Sequence, residues 1–544
     1  MEHGLPEAAI HRAVARPGLS IVHTAAARLL ACGNLAEPGL AAIAREATPW
    51  LLVQIATGVG AFVGPRFRGE YACWTCLAQM LRANGWEPGA HRDLNAADLS
   101  ALAFAAKIAE TWPQDHPADR GFAEFAPDGR LACWHPAPRI SGCADCGRRA
   151  RERPADCDLI SPLTGILTDC GVRRIAPGLF VARGLCSRRN YSHFDGGISP
   201  GRPIEVGGKG ENQAAATAGC LGEAVERSSL LLTGRESFTR ASFHALGTSA
   251  LDPNTMLPHL CSFDRSKAFP WVDAVSFKTG EKRFVLAEVC FLGFGSVYHA
   301  ADTGGCATAP TAAGAIHRAV LELIERDSVA LWWCKRTPRP ELDWRSLNSP
   351  RLSNMARHCE KNGRCWWLLD LTSDCGVLVC AAISARRDGT RIAMGTGAGI
   401  DWESAAWSAA AEMAILADEI PRISAQTAMN DANQARILSW WRRERLDGHP
   451  YLVAKSGARR YAPLSFAATD ISASTQSIVD RLADLGHELY LVDHTLPNLD
   501  RPVFRAIVPS LIRLLRPSLR VLDERSERLG QNGQPGLNAV SWFL

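Results

Sequence analysis

The sequence predicts an α/β (α+β) chain in two parts, a smaller one at residues 1–150 and a larger one at residues 151–544. Three observations carry this. Residues 1–150 hold two CxxC pairs of the kind that close a metal site. Beyond them, short apolar strand-like runs interleave with longer Ala-rich helical ones. Between the two lies GRRARERPAD at 147–156, an Arg-rich, Pro-containing stretch that reads as a linker.

Composition bounds the class. The chain has 544 residues, 47% of them hydrophobic and 21% charged, as in a globular protein with a sizeable core. Lys plus Arg number 60 and Asp plus Glu 56, a net +4, which argues against nucleic acid or an anionic membrane as the main partner. The N-terminus lacks the apolar core of a signal peptide. The longest apolar run, PWLLVQIATGVGAFVGP, is interrupted by Gln54, Thr57 and glycines, so it reads as buried strand and loop rather than a span of ~20 apolar residues. The expected location is the cytoplasm. There the 18 cysteines, none beyond residue 380, serve as buried thiols, metal ligands or nucleophiles rather than as a disulfide framework.

In the front part, CWTC supplies Cys73 and Cys76, and CADCG supplies Cys143 and Cys146. Each CxxC turns two thiolates toward one ion, so the two pairs predict a closed, structural Zn(Cys)4 site. The 66 residues between the pairs make it a clamp between distant segments rather than a compact ribbon. The alternative is four buried thiols. A redox CxxC would need a single pair beside a βαβ unit. Cys133 and His135, in ACWHP, have no partner at CxxC spacing and read as structural.

In the back part, RFVLAEVCFLGF, CWWLLDLTS, GVLVCAAISA, ELYLVDHT and VFRAIVPSL read as strands. AIHRAVLELIER reads as a helix, with Ile316, Ala319, Val320 and Leu323 along one apolar face. The motif Glu-x-x-Glu-Arg occurs twice, at Glu223, Glu226 and at Glu322, Glu325. Residues three apart share a helix face, so each helix aims two carboxylates one way. A solvated face with local Glu–Arg pairing is the simpler explanation for either pair alone. The neighbours are apolar or small, however, and paired carboxylates do not go inside without a cation. Glycine-containing loops, VGGKGENQ and DTGGCATAPTAAG, precede the two helices. A third element repeats the layout in GTGAGIDWESAAWSAAAEMA, with Asp401 as N-cap and Glu412 within the helix. Such glutamates suit Mg²⁺ with nucleotide phosphates. Lys209 in GGKG is a candidate phosphate contact, although the surrounding residues do not form a P-loop.

The blocks GKGENQAAATAGCLGEAVERSSL, TGGCATAPTAAGAIHRAVLELIERDSVALWW, GTGAGIDWESAAWSAAAEMA and PVFRAIVPSL resemble, in order, the signature blocks of the YcaO superfamily over residues ~160 to 544. GAFVGPRFRGEYACWTCLAQMLRANG and HPAPRISGCADCG resemble the zinc-carrying E1/ThiF-like half of fused azoline-forming cyclodehydratases of thiazole/oxazole-modified microcin biosynthesis. The resemblance implies a YcaO-type ATP-binding domain preceded by a shortened, zinc-binding ThiF-like remnant. It implies ATP-driven activation of a backbone amide in a ribosomal precursor peptide. A Cys, Ser or Thr side chain adds to the preceding carbonyl, the oxyanion takes the γ-phosphoryl group, and phosphate leaves to give an azoline. Glu223, Glu226, Glu322 and Glu325 would then hold Mg²⁺, with Glu412 a further nucleotide or metal contact.

Two departures from the family pattern stand out. Gly219 occupies a position where the family commonly has serine, and the chain ends in NAVSWFL without a Pro-rich tail, its last proline being Pro535. Rival readings are a YcaO enzyme that makes thioamides or amidines, and a peptide-binding scaffold without catalysis. The short front part predicts a leader-peptide-recognition protein in trans or association of chains into a homodimer. A flavin-dependent dehydrogenase that oxidises the azoline is a further admissible partner.

Overall fold

A computed structural model describes residues between Ser20 and Gly530, with gaps of which the longer are 33–48, 85–94, 138–145, 147–158, 192–197, 295–300, 424–431 and 460–469. The linker stretch 147–156, Cys143 and the segment around Pro535 lie outside the described residues.

The front part is a six-stranded sheet whose strands lie in sequence order from Ser20–His23 to Leu131–Pro136. Arg28–Cys32 and Trp50–Gln54 pair parallel, while the later strands pair antiparallel. The apolar run around residue 54 is therefore strand, gap and strand, with Trp50–Gln54 and Ala61–Phe67 fully buried. Helix Ala96–Thr111 covers one face through Ala97, Ala101, Ala105 and Ile108, which meet Leu51, Val53 and Val63. Arg66, wholly buried, is matched by Asp119 in a two-pronged pair, with Nε 2.7 Å from Oδ1.

The back part contains three sheets that frame the carboxylates. The first is three-stranded, in the order Ile204–Gly210, Leu179–Cys186, Leu167–Ala176. The second runs Thr239–Ser242, Ala268–Ser276, Tyr490–Asp493, Val503–Ile507, Cys306–Thr308, with Lys282–Leu286 added beside Ala268–Ser276. The third runs Ala393–Gly399, Leu378–Arg386, Arg364–Asp370, Pro340–Leu342, Lys455–Arg459. Three of the five runs read as strands are strands over most of their length, and a fourth, ELYLVDHT, over half of it, Tyr490–Asp493. The fifth, RFVLAEVCFLGF, is a strand only to Leu286 and continues as a buried helical turn, Ala287–Cys290.

Three helices carry the glutamates: Gln213–Ser229, Ala312–Lys335 and Trp402–Glu419, called here the first, second and third acidic helices. Each starts at a side-chain cap, with Asn212, Thr311 and Asp401 accepting from Ala215 N, Gly314 N and Ser404 N. The second buries Ala319, Val320 and Leu323 of the predicted apolar face, together with Ile324, in a core cluster against which the half-buried Ile316 packs. The first is less enclosed than its composition suggested. Ala214, Ala215 and Ala218 are exposed, and burial begins at Ala216 and Cys220.

The glycine runs correct the sequence reading. VGGKG and GTGAG, expected as loops, are the strands Ile204–Gly210 and Ala393–Gly399. Their glycines serve close approach rather than turning. A Cβ at Gly208 would collide with Cys220 N and Ala216 O of the first acidic helix, and one at Gly395 with Met413 N and Ala409 O of the third. Each helix thus lies directly on a strand, which fixes its glutamates against a rigid support.

Candidate active site

The six residues picked from the motifs come together in the back part. On the first acidic helix, Glu223 Oε2 accepts from the Gly207 backbone N–H at 2.7 Å, and Glu223 Oε1 accepts from Arg227 Nη2 at 2.7 Å. Arg227 Nη1 donates to Glu226 Oε1 at 2.9 Å. The arginine of the motif therefore spans both of its own glutamates. On the second helix Arg326 Nε lies 3.6 Å from Glu322 Oε1. Glu325 Oε1 accepts from Thr396 Oγ1 at 2.6 Å, which fastens the second helix to the strand Ala393–Gly399. Thr396 N also donates to Glu412 Oε2 at 3.3 Å. Lys209 Nζ donates to Glu412 Oε1 at 2.9 Å and to the Ser408 carbonyl and hydroxyl oxygens at 3.1 and 3.0 Å.

The result is a continuous array from three helices and two strands, with five carboxylates facing Arg227, Arg326 and Lys209. Formally it carries two more negative than positive charges. Its electrostatics show strain of a useful kind. Burial raises Glu226 above the ordinary carboxylate range, and the neighbouring Glu322 and Glu223 add to this against the opposing pull of Arg227. Burial likewise raises Glu322, with Arg326 opposing and Glu325 reinforcing. Glu325 is raised by burial and by Glu412, with Arg326 and the Thr396 hydroxyl opposing. A solvated Glu–Arg face would show the reverse. Carboxylates held this way favour either protons or a cation, and a set of hard oxygen donors fits Mg²⁺.

Beside Glu322 opens a cavity of about 220 Å³ whose polar lining includes Arg227, Asp302, Arg326, Arg505 and Arg513. Arg505 is 2% exposed and donates to the Asp302 carbonyl at 2.7 Å, and Arg513 Nη2 lies 2.7 Å from Asp302 Oδ2. Sequence reasoning missed these arginines as site residues, although Arg505 sits inside the quoted block PVFRAIVPSL. It also missed Thr396, which no motif spacing marks, and Ser408, which lies one turn before Glu412 on the third acidic helix. Gly219, the departure from the family's serine, faces Gly208, where a Cβ would stand 3.2 Å from its Cα.

In the front part, Cys73, Cys76 and Cys146 place their sulfurs within 4.8 Å of one another. Cys76 Sγ and Cys146 Sγ are 3.6 Å apart. Cys73 precedes helix Trp74–Ala83 and Cys76 lies in its first turn, so the helix start turns both thiols one way. Three sulfurs at this separation fit a tetrahedral zinc site, whose S–S edges are about 3.8 Å. The fourth predicted ligand, Cys143, lies outside the described residues. No helix among the described residues is long and apolar enough to cross a membrane.

An uncharacterized protein of Methanothermobacter thermautotrophicus is 27% identical over 317 residues, covering 56% of this chain and 80% of the relative. The fold is similar to that of a heterocyclase solved in complex with substrate and cofactor, with a TM-score of 0.81 and 24% identity, covering 95% of this chain and 81% of the other. It is similar also to the heterocyclase TruD, with a TM-score of 0.69 and 24% identity, covering 94% of this chain and 77% of that one. A family model described as YcaO cyclodehydratase, ATP- and Mg²⁺-binding, matches residues 207–512, more than half of the chain and the whole stretch that carries the three acidic helices. The chain therefore belongs to the YcaO cyclodehydratase family.

Proposed function

We propose that this enzyme is an ATP-dependent cyclodehydratase that activates backbone amides of a ribosomal precursor peptide and converts Cys, Ser or Thr residues to azolines. The observation that supports it most is the array of five carboxylates on three helices, two of them seated on glycine strands, in which burial raises Glu226, Glu322 and Glu325 and positive charge is in deficit. Glu223, Glu226, Glu322 and Glu325 would hold Mg²⁺, which supplies charge neutralisation at the transferred phosphoryl group. Lys209 and Glu412 would complete the nucleotide end. Arg227 and Arg326 keep the glutamates oriented, and the arginine-lined cavity beside Glu322 offers donors to phosphate oxygens. Phosphoryl transfer asks the protein mainly for positioning and electrostatics, which is what this array provides.

The front part is proposed to carry structural zinc at Cys73, Cys76, Cys146 and Cys143, as a unit separated from the YcaO unit near residue 150. Leader recognition by a partner protein, and later oxidation by a dehydrogenase, remain part of this proposal. Mass spectrometry of a candidate precursor peptide incubated with the protein and Mg-ATP tests it. Loss of one water per modified Cys, Ser or Thr is expected, together with phosphate release. ATP turnover without water loss would reassign the chemistry, and absence of both would leave a binding scaffold.

A further inference from the structure

The front sheet ends in a hairpin whose strands, Gly121–Phe125 and Leu131–Pro136, pair antiparallel with Glu124 opposite Cys133 and Phe122 opposite His135. Residues two apart on a strand share a face, so Glu124, Cys133 and His135 emerge together. Cys133 Sγ lies 3.3 Å from Glu124 Oε2 and 3.3 Å from His135 Nε2. His135 Nε2 lies 2.8 Å from Glu124 Oε2. One thiol, one imidazole and one carboxylate thus form a triangle, made of residues separate from the Cys73, Cys76, Cys146 trio.

The histidine is held for a purpose. Its side chain is 4% exposed and stacks on Phe122, with ring centroids 5.1 Å apart. Its other nitrogen, Nδ1, is 3.0 Å from Ser161 Oγ. A second partner on the far nitrogen orients a metal-binding imidazole and leaves Nε2 aimed at the ion. Glu124 is partly exposed and Cys133 exposed, so the triangle opens to solvent on one side. Nitrogen, oxygen and sulfur ligands of tetrahedral zinc stand about 3.3–3.6 Å apart. The triangle needs to widen by only a few tenths of an ångström, which one rotatable carboxylate and one rotatable thiol allow.

We propose that Glu124, Cys133 and His135 form a second divalent-metal site, of the type with three protein ligands and an open fourth position, suited to Zn²⁺ or Co²⁺. The mixed donor set separates it from the sulfur-only trio. It also gives the site a place in the architecture. Ser161 opens the turn that ends at Gly165, where Thr164 Oγ1 donates to the Pro136 carbonyl of the hairpin and Asn84 Nδ2 donates to the Gly165 carbonyl. That turn leads into Leu167–Ala176, an edge strand of the sheet under the first acidic helix. Metal at His135 would brace the hairpin where it meets the back part.

The test uses the full-length protein, stripped with a chelator and titrated with Zn²⁺, with bound metal counted by mass spectrometry after gel filtration. Cys133→Ser and Glu124→Gln are each expected to hold one ion fewer than the wild type at micromolar zinc. Co²⁺ titration adds a spectroscopic readout: both variants keep the intense thiolate-to-cobalt band of the sulfur trio and lose the weaker component of a single thiolate. Equal metal content in wild type, Cys133→Ser and Glu124→Gln, or loss of the extra ion only after millimolar loading, overturns the proposal. Circular dichroism of the two variants, expected to match the wild type because Cys133 is exposed, excludes unfolding as the cause.

Discussion

Lys209 Nζ lies 2.9 Å from Glu412 Oε1, although the two residues are 203 positions apart. The contact ties the strand Ile204–Gly210 to the third acidic helix and closes the carboxylate array at its far end. With relative side-chain exposures of 33% and 41%, the pair adds only ~0–1 kcal/mol to stability. Its weight lies in the positive charge it brings beside Glu412 and Glu325, which also feels Lys209.

Lys209→Met is therefore expected to lower apo stability by ~1 kcal/mol or less. Mg-ATP turnover should fall about tenfold or more, since a missing cation at a phosphate site is worth ~1.4 kcal/mol or more of transition-state stabilisation. Phosphate release and scanning calorimetry on the same preparation check this. A large stability loss with turnover unchanged would make the pair a structural tie alone.

Gly208→Ala tests the close seating of the first acidic helix. The added methyl meets backbone atoms of Cys220 and Ala216, which cannot swing aside. The helix must lift, at a cost of about 3 kcal/mol, and Glu223 loses its bond from Gly207 N. Gly171→Ala is the control, because a Cβ there meets nothing within 4 Å. Its effect should stay within ~0.5 kcal/mol by chemical denaturation. If the two variants unfold alike, the glycine strand does not set the helix position.

The site was legible where chemistry leaves a local pattern. Glu-x-x-Glu-Arg declared two carboxylates on one helix face, and the Ala-rich, capped context declared the third helix. What the pattern did not say is how the helices are supported. The glycines of GGKG and GTGAG looked like loop punctuation because a strand that carries a helix on its backbone lacks the β-branched residues by which strands are recognised. Thr396 and Arg513 were illegible for a different reason: each reaches the site only through a long-range contact, with no spacing partner to betray it, whereas Ser408 lies one turn before Glu412 on the same helix, a spacing that could have found it.

Cys76→Ser probes the front metal site. If the sulfur trio and Cys143 hold zinc, removing one thiolate should lower zinc content and destabilise the front sheet, because structural zinc contributes folding free energy of order 10 kcal/mol in small sites. The expected outcome is early loss of the Trp50 and Trp74 fluorescence transition, with the back part unfolding later. Retention of wild-type zinc content and an unchanged transition would return the trio to the status of buried thiols.

The pH dependence of the apo fold separates the metal-shell reading from ordinary ion pairing. Burial pushes Glu226 up to about 8 and Glu322 up to about 7, and Glu325 is raised as well. An unfolded glutamate titrates near ~4.3. The folded state therefore binds more protons than the unfolded chain between those limits. The contribution of these groups to stability is fully present below ~4 and is lost as pH rises through 7 and 8. Mg-ATP needs the ionised carboxylates, so its stabilisation should grow over the same window, reaching about 2.7 kcal/mol at a hundredfold excess over Kd. Apo stability then falls as pH rises through this window, while that of the liganded protein stays nearly flat. Glu322→Gln keeps the shape and removes one titrating group. It should flatten the apo slope, raise apo stability at the alkaline end and abolish the nucleotide response. Ordinary Glu–Arg pairs would instead hold the carboxylates below their usual range, so stability would fall toward acid, and Glu322→Gln would lose ~0–1 kcal/mol with the nucleotide response intact. Thermal melts of both proteins from pH ~3 to ~9, with and without Mg-ATP, decide between the two, because one reading has apo stability falling toward alkali between ~5 and ~9 and the other has it flat there and falling only toward acid.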